Sequence, residues 1–491
     1  MNSASDDRIG LDPPGSGAGD AYGRTLLGAV DRRYLSTRGG RTFLAAALGL
    51  ALIIPSVQFV HTIRKVDKSL WRAGGQRHRT ALGRWLPTAG LLTEGPGAEN
   101  PYGFGHWFPT PPMVLISLAP LWKIGYVPAG IVWALLKIAG IVGGLWLVIT
   151  ALRRDGLVLP LGVVAIAGAW SIRPIVSDIQ HGNLNVFMMV WLAIAWASFV
   201  RGRDVWAGIF VAAAIVTKIT PALALVYFAY KRRWRVCLGA AVGLVLLVAI
   251  VPGALIGFGR NVEWLRAWFD MLVRPFALEG YASLEIGNQS LYGVLLRLLS
   301  NAGVLSIEHM PGAQAADAGM EMMARPATAA GRLLRPAVSI VVVASLAVIC
   351  RCRAPRRADL RYLLEFGMVL IAMLLLSERT WKHHATTLPL VYLGAWYAVA
   401  CIDRPQRIRG LHVAALVLQF VALLLLSEGL LGDRLGDRVL DGGFFCWGLV
   451  LCFVQLGVLL RDPRLRDGDE TWRDAARAAG RDRSRSAAVP G

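Results

Sequence analysis

Apolar runs alternate along the chain with short connections, and every second connection carries a cluster of Lys and Arg. A spanning helix needs about 20 apolar residues, and fewer where protein shields its ends. On that criterion the pattern predicts about twelve membrane segments, near 43–60, 128–149, 157–172, 186–200, 204–217, 219–231, 237–256, 334–350, 362–377, 385–401, 411–427 and 442–460. Those at 204–217 and 219–231 are short and fit a re-entrant or broken pair as well as two spans. The predicted fold class is all-α, a polytopic membrane protein whose membrane domain covers 43–460. The flanks 1–42 and 461–491 hold Gly, Ser, Asp and Arg without apolar periodicity and are expected to be disordered tails. Charged residues, not a small-residue cleavage site, follow the first apolar run, which therefore reads as an anchor.

Orientation follows from the basic connections. Arg153 and Arg154, Arg201 and Arg203, the run Lys231, Arg232, Arg233 and Arg235, the cluster within 351–361, and Arg404, Arg407 and Arg409 are expected on the cytoplasmic side. Both termini then lie there too, in an inner (plasma) membrane. The opposite face holds two long loops, about 61–127 and 257–333. The first of these is itself basic, but long loops translocate with less regard to charge. Loops of such length are more often functional than incidental.

Composition agrees with this pattern. The 491 residues are 55% hydrophobic and 17% charged, with a mean hydropathy of +0.51, which excludes a water-soluble domain. Among the 17 Trp, Trp107, Trp122, Trp381 and Trp447 fall near the ends of apolar runs, as in an interfacial belt. The net charge of +20 sits in short clusters between apolar runs and in the tails, the distribution of topology determinants and not of a nucleic-acid footprint. The six Cys lie in or beside apolar segments with no CxxC spacing, so they indicate neither a disulfide framework nor zinc.

Polar residues at membrane depth are costly, so their positions carry information. Four groups stand out: 173–185, with Arg173, Asp178, His181, Asn183 and Asn185; Lys218, with Thr217, Thr220 and Pro221; Asn288, Gln289 and Ser290; and 377–384, with Arg379, Trp381, Lys382, His383 and His384. The predicted topology brings all four to the outer face, which points to one site. Lys218, Arg379 and Lys382 suit a phosphate, Arg by a planar fork and Lys as a point charge. His181, Asn183, Asn185, Asn288, Gln289, Trp381, His383 and His384 suit a sugar or its acceptor. Plainer duties compete: Asn183 and Asn185 as caps or interhelical bonds, Asn288-Gln289-Ser290 as a helix N-cap, Lys218 as a snorkelling cation. Adjacent histidines on a helix do not face one point, and no acids cluster with ligand spacing, so neither a metal nor another cofactor is expected.

These residues carry a resemblance. Phe108, Pro111 and Pro112, the His181-Gly182-Asn183-Leu184-Asn185 element, the Lys-x-x-Pro of Lys218 and Pro221, the Asn288-Gln289-Ser290 triplet and Trp381-Lys382-His383-His384 occur in an order and spacing similar to one family. Over about 43–400 the chain resembles the polyprenyl-phosphate-dependent glycosyltransferases of GT-C architecture, and within them glycosyltransferase family 87 (domain of unknown function 2029), mannosyltransferase-like proteins. The resemblance implies transfer of a hexose, typically mannose, from a polyprenyl-phosphate sugar to a lipid-linked or cell-envelope glycan on the non-cytoplasmic face. It also implies inversion at the anomeric carbon and a carboxylate base in the first outer loop.

Here the chain departs from the pattern. The family places an Asp upstream of a Pro-Tyr dipeptide, and before Pro101-Tyr102 the corresponding window, 79–85, contains no acid. Asp67 is assigned as base because it follows the membrane exit most closely, with Glu94 and then Asp178 as alternatives. Two other readings stay open: a transporter or flippase of lipid-linked saccharides, which would show polar groups at both faces and repeat symmetry, and an inactive relative that binds polyprenyl lipid.

Overall fold

The computed structural model describes residues 21–65, 80–93, 99–102, 108–154, 157, 159–311, 322–351 and 359–465. Nearly every expected apolar run is a helix. In chain order these are α1 (Arg38–Arg64), α2 (Ala81–Gly90), α3 (Pro112–Ile124), α4 (Tyr126–Arg154), α5 (Leu161–His181), α6 (Asn185–Val200), α7 (Asp204–Thr217), α8 (Ala222–Tyr230) and α9 (Trp234–Ile256). After them come α10 (Phe258–Trp268), α11 (Leu291–Asn301), α12 (Leu334–Ile349), α13 (Leu360–Leu375), α14 (Leu388–Cys401), α15 (Gln406–Leu425), α16 (Glu428–Asp441) and α17 (Phe444–Arg461). Among the described residues seven helices are long and apolar enough to cross a membrane unaided, α1, α4, α5, α9, α12 with the turn before it, α15 and α17. The chain is a polytopic membrane protein.

Two helices stand inside the others. Every residue of α13 and α14 is buried, as expected of helices that are apolar on all sides. The outer helices instead expose large apolar side chains, among them Ile53 and Val57 of α1, Leu135 and Trp146 of α4 and Ile340 and Val341 of α12, a lipid-facing surface. Helix α7 lies between α6 and α9. A Cβ on Gly208 would come within 2.0 Å of the Val236 carbonyl oxygen and one on Gly239 within 2.2 Å of that of Val205. Only glycine allows α7 and α9 this approach, the small-residue packing typical of membrane helices.

Side chains tie the basic connections together at one end of the bundle. Arg201 donates to Thr150 (3.2 Å), Asp31 accepts from the Gly162 N–H (3.0 Å), Arg24 pairs with Asp403 (3.2 Å) and Arg404 with Asp462 (3.5 Å). At the same end Glu365 of α13 is buried between Lys231 (2.6 Å), Arg361 (3.1 Å) and the Tyr227 hydroxyl (2.9 Å). The N-terminal flank differs from the expected tail. From residue 21 it is helical, running through Leu26–Val30 into α1, because the Asp31 carboxylate takes the Tyr22 hydroxyl (2.9 Å) and caps α5. The C-terminal tail lies outside the described residues beyond 465.

Both long loops of the opposite end contain structure. In the first, α2 is almost wholly buried and packs on α3. In the second, α10 follows Gly257, whose φ of 94° turns the chain out of α9. It sets Asn261 and Trp264 inward and Phe258 and Val262 outward. A small antiparallel sheet follows, in the order β1 (Ala282–Ser283), β3 (Met323–Pro326), β2 (Ile307–His309). The sequence pattern predicts no strand here, since two to four residues cannot display an alternation.

Candidate functional site

Helix α5 ends in the left-handed Gly182 (φ 65°). A Cβ there would meet the Phe59 ring at 2.5 Å, and the Gly182 carbonyl accepts from the Trp133 indole (3.1 Å). The turn therefore fixes where α5 stops and α6 begins, and with them Asp178, His181 and Asn185. Asp178 is fully buried. Its Oδ2 accepts from the Lys137 ammonium at 2.6 Å and its Oδ1 from the Asn185 amide at 2.9 Å. The Asn185 Oδ1 in turn accepts from Lys218 at 3.4 Å. Lys218 sits where α7 breaks, in extended conformation (φ −159°, ψ 134°), three residues before Pro221. It feels the charges of Glu378, Asp178 and Arg379.

The 377–384 connection meets this group from α13. Its Thr386 hydroxyl, just beyond, donates to the Asn185 carbonyl (2.8 Å). The His383 ring stacks on His181 (4.7 Å between centroids, 21° between planes) and lies edge-on to His384 (4.7 Å, 88°). The His384 Nδ1 is 3.0 Å from the Arg379 carbonyl and 3.2 Å from the Trp381 N–H. Burial pushes both connection imidazoles, His383 and His384, well below their ordinary value, so they are neutral at physiological pH. They can hydrogen-bond hydroxyls, while positive charge resides on Lys218, Arg379 and Lys382. Lys382 pairs with Glu428 at 3.2 Å, and both remain partly exposed. Trp381 lies against Gly287, where a Cβ would come within 2.8 Å of the ring.

Lys218, Arg379, Lys382, His181, Asn185, Trp381, His383 and His384 are thus brought together. Asn183 is spent locally, its Oδ1 accepting from the Leu184 N–H at 2.7 Å. Asn288 and Gln289 differ from the expected sugar contacts. Both are buried, and their amide atoms are engaged with backbone. Asn288 donates to the Ser283 (2.9 Å) and Glu378 (3.3 Å) carbonyls and accepts from the Ser290 (3.1 Å) and Thr380 (3.0 Å) N–H groups. Gln289 donates to the Ile286 (2.7 Å) and Leu440 (2.8 Å) carbonyls and accepts from the Cys446 N–H (3.3 Å). They lock the second long loop to the 377–384 connection and to α17. Replacing Gln289 by leucine is expected to cost about 2 kcal/mol of stability by leaving buried backbone groups unpaired, read as a lowered unfolding midpoint in detergent.

Among the assigned acids, Asp67 and Glu94 lie outside the described residues. Asp178 has both oxygens occupied. Two cations escape the sequence reading. Lys137 is a lone charge in the apolar run of α4, and its isolation is the signal that marks it. Arg84 is the one exposed residue of the otherwise buried α2 and feels the charge of Arg379. Among the described residues no three His, Cys, Asp or Glu side chains gather as a metal site.

Known proteins share parts of this chain. A polyprenol-phosphate-mannose-dependent alpha-(1-2)-phosphatidylinositol mannoside mannosyltransferase of Mycolicibacterium smegmatis is 26% identical, over 82% of this chain and 86% of its own length. Its namesake from Mycobacterium tuberculosis is 25% identical over 49% of this chain, which spans only 55% of that relative. A pentamannoside mannosyltransferase, also of Mycobacterium tuberculosis, is 28% identical over 62% of this chain and 60% of its own. The crystal structure of ArnT from Cupriavidus metallidurans bound to undecaprenyl phosphate aligns over 86% of this chain and 77% of that one, at 14% identity and a TM-score of 0.36. The profile of glycosyltransferase family 87 matches residues 108–377, a stretch that runs from the aromatic-Pro-Pro element through Lys218 and the Asn288-Gln289-Ser290 triplet. With more than half of its length matched, the chain belongs to glycosyltransferase family 87.

Proposed function

We propose that this protein transfers a hexose, mannose in our reading, from a polyprenyl-phosphate donor to a hydroxyl of a lipid-linked or cell-envelope glycan. The reaction runs on the non-cytoplasmic face of the inner membrane, with both termini in the cytoplasm. The observation that carries the proposal is the gathering of Lys218, Arg379, Lys382, His181 and His384 from three separate stretches of a predominantly helical membrane chain. The mannose-phosphate donors in the names of its relatives support it.

In that reaction a carboxylate takes the acceptor hydroxyl's proton. The acceptor oxygen bonds the anomeric carbon, and the bond from that carbon to the phosphate oxygen breaks with its electron pair leaving on polyprenyl phosphate. Lys218, Arg379 and Lys382 stabilise the charge growing on that phosphate. Neutral His384, with His181 and Trp381, lines the sugar and acceptor side. The commitment of Asp178 to Lys137 and Asn185 supports Asp67 as base, with Glu94 as the alternative.

The test incubates the purified protein in lipid with polyprenyl-phosphate mannose and an envelope lipid extract. Wild-type transfer is expected, with a loss of roughly 10²–10⁴-fold in Asp67→Asn. Transfer retained by Asp67→Asn but lost by Glu94→Gln moves the base to Glu94. Absence of transfer together with saccharide-lipid movement across the bilayer would replace the enzyme by a transporter.

A further inference from the structure

Lys137 is a fully buried cation in the middle of an apolar helix, and it pairs with Asp178. Its ammonium bonds both the Asp178 Oδ2 (2.6 Å) and the Asp178 main-chain carbonyl (2.7 Å). A carboxylate only accepts hydrogen bonds. The Asn185 amide must therefore turn its NH₂ to the Asp178 Oδ1 (2.9 Å), which leaves its Oδ1 for the Lys218 ammonium (3.4 Å). The Thr386 hydroxyl pins the Asn185 backbone from the other side at 2.8 Å. The four side chains form one directed chain across α4, α5, α6 and the α7 break.

We infer that Lys137 and Asp178 are positioning residues that orient Asn185 and so aim the Lys218 ammonium at the donor phosphate. The inference rests on the phosphate reading of Lys218. The pair works in two ways. Asp178 sets the direction of the Asn185 amide, and Lys137 neutralises Asp178, so that the charge of Lys218 stays available to an anion instead of being drawn inward.

Each member removed alone has a distinct consequence. In Lys137→Met the Asp178 carboxylate is uncompensated and competes with phosphate for Lys218. In D178N the new amide gives its oxygen to Lys137 and its NH₂ to Asn185, which flips Asn185 and turns a donor toward Lys218. In the double variant neither force acts. The residue at 178 again accepts from Asn185, and Lys218 regains its acceptor.

The experiment measures binding of undecaprenyl phosphate, and of the corresponding polyprenol without phosphate, to the full-length protein in phosphatidylcholine nanodiscs. Wild type should prefer the phosphate. Each single variant should lose roughly tenfold or more in phosphate affinity, while the double variant recovers most of it. Polyprenol binding, unchanged across the set, reports an intact fold. A double variant as weak as the worse single variant, or single variants with undiminished phosphate preference, would overturn the positioning role alone. Wild-type protein that binds the two lipids equally would overturn the phosphate reading of Lys218 along with it. Should Lys137→Met fail to fold, D178N against the double variant makes the same comparison.

Discussion

Replacing Lys218 by methionine is expected to lower kcat/KM for the proposed mannose transfer by roughly 10²–10³-fold, the usual cost of deleting a preorganised charge at a developing anion. The side chain sits at a break between two short helices, held by Asn185 and within electrostatic reach of Arg379 and Glu378. Both kcat and donor KM should suffer, because the phosphate is charged before the reaction and gains charge during it. Lys218→Arg should recover little, since a planar fork cannot occupy the place of a compact ammonium hydrogen-bonded to one amide oxygen. Steady-state transfer assays with varied donor check both points. A Lys218→Met enzyme within threefold of wild type would remove this residue from the donor site.

The second large effect is on stability, at the other end of the bundle. Glu365 takes Lys231 and the Tyr227 hydroxyl on one oxygen and Arg361 on the other, with its own side chain fully buried. Glu365→Ala strands two buried cations and is expected to cost about 3–5 kcal/mol. Adding Lys231→Met should restore part of that, because the two losses are coupled. Unfolding midpoints in detergent give the comparison, and additive losses would show that the pair is not one unit.

How far the sequence foresaw this molecule depends on the size of the feature. The long helices were legible because lipid and a buried core both demand unbroken apolar runs; α6, expected at 186–200, is found at Asn185–Val200. The sheet of the second long loop was not, its strands being too short to carry a period. The candidate site was legible as a set of polar interruptions. Asn288 and Gln289 were visible as polar residues, but nothing in their identity tells a sugar contact from a framework bond, which depends on which carbonyls end up nearby. Lys137 was overlooked because one charge within the apolar run of a long helix hardly alters its character. Its partner lies 41 positions away, beyond any local pattern. The order of the N-terminal flank from residue 21 was hidden for the same reason: Asp31 caps a helix 131 positions downstream.

The enclosed placement of α13 and α14 also bears on how the protein is made. A chain leaving the ribosome inserts from its N-terminus, so α5 to α7 and the turns bearing Asp178, Asn185 and Lys218 enter the bilayer before residues 377–384 exist. The two helices that carry this connection have no lipid-facing surface of their own. They must be received into a groove left open by their predecessors and then sealed by α15 and α17, the latter packed against α13. The site is therefore completed late in biosynthesis, and a nascent chain halted before α13 would carry the polar half-site of α5 to α7 without the 377–384 connection that completes it.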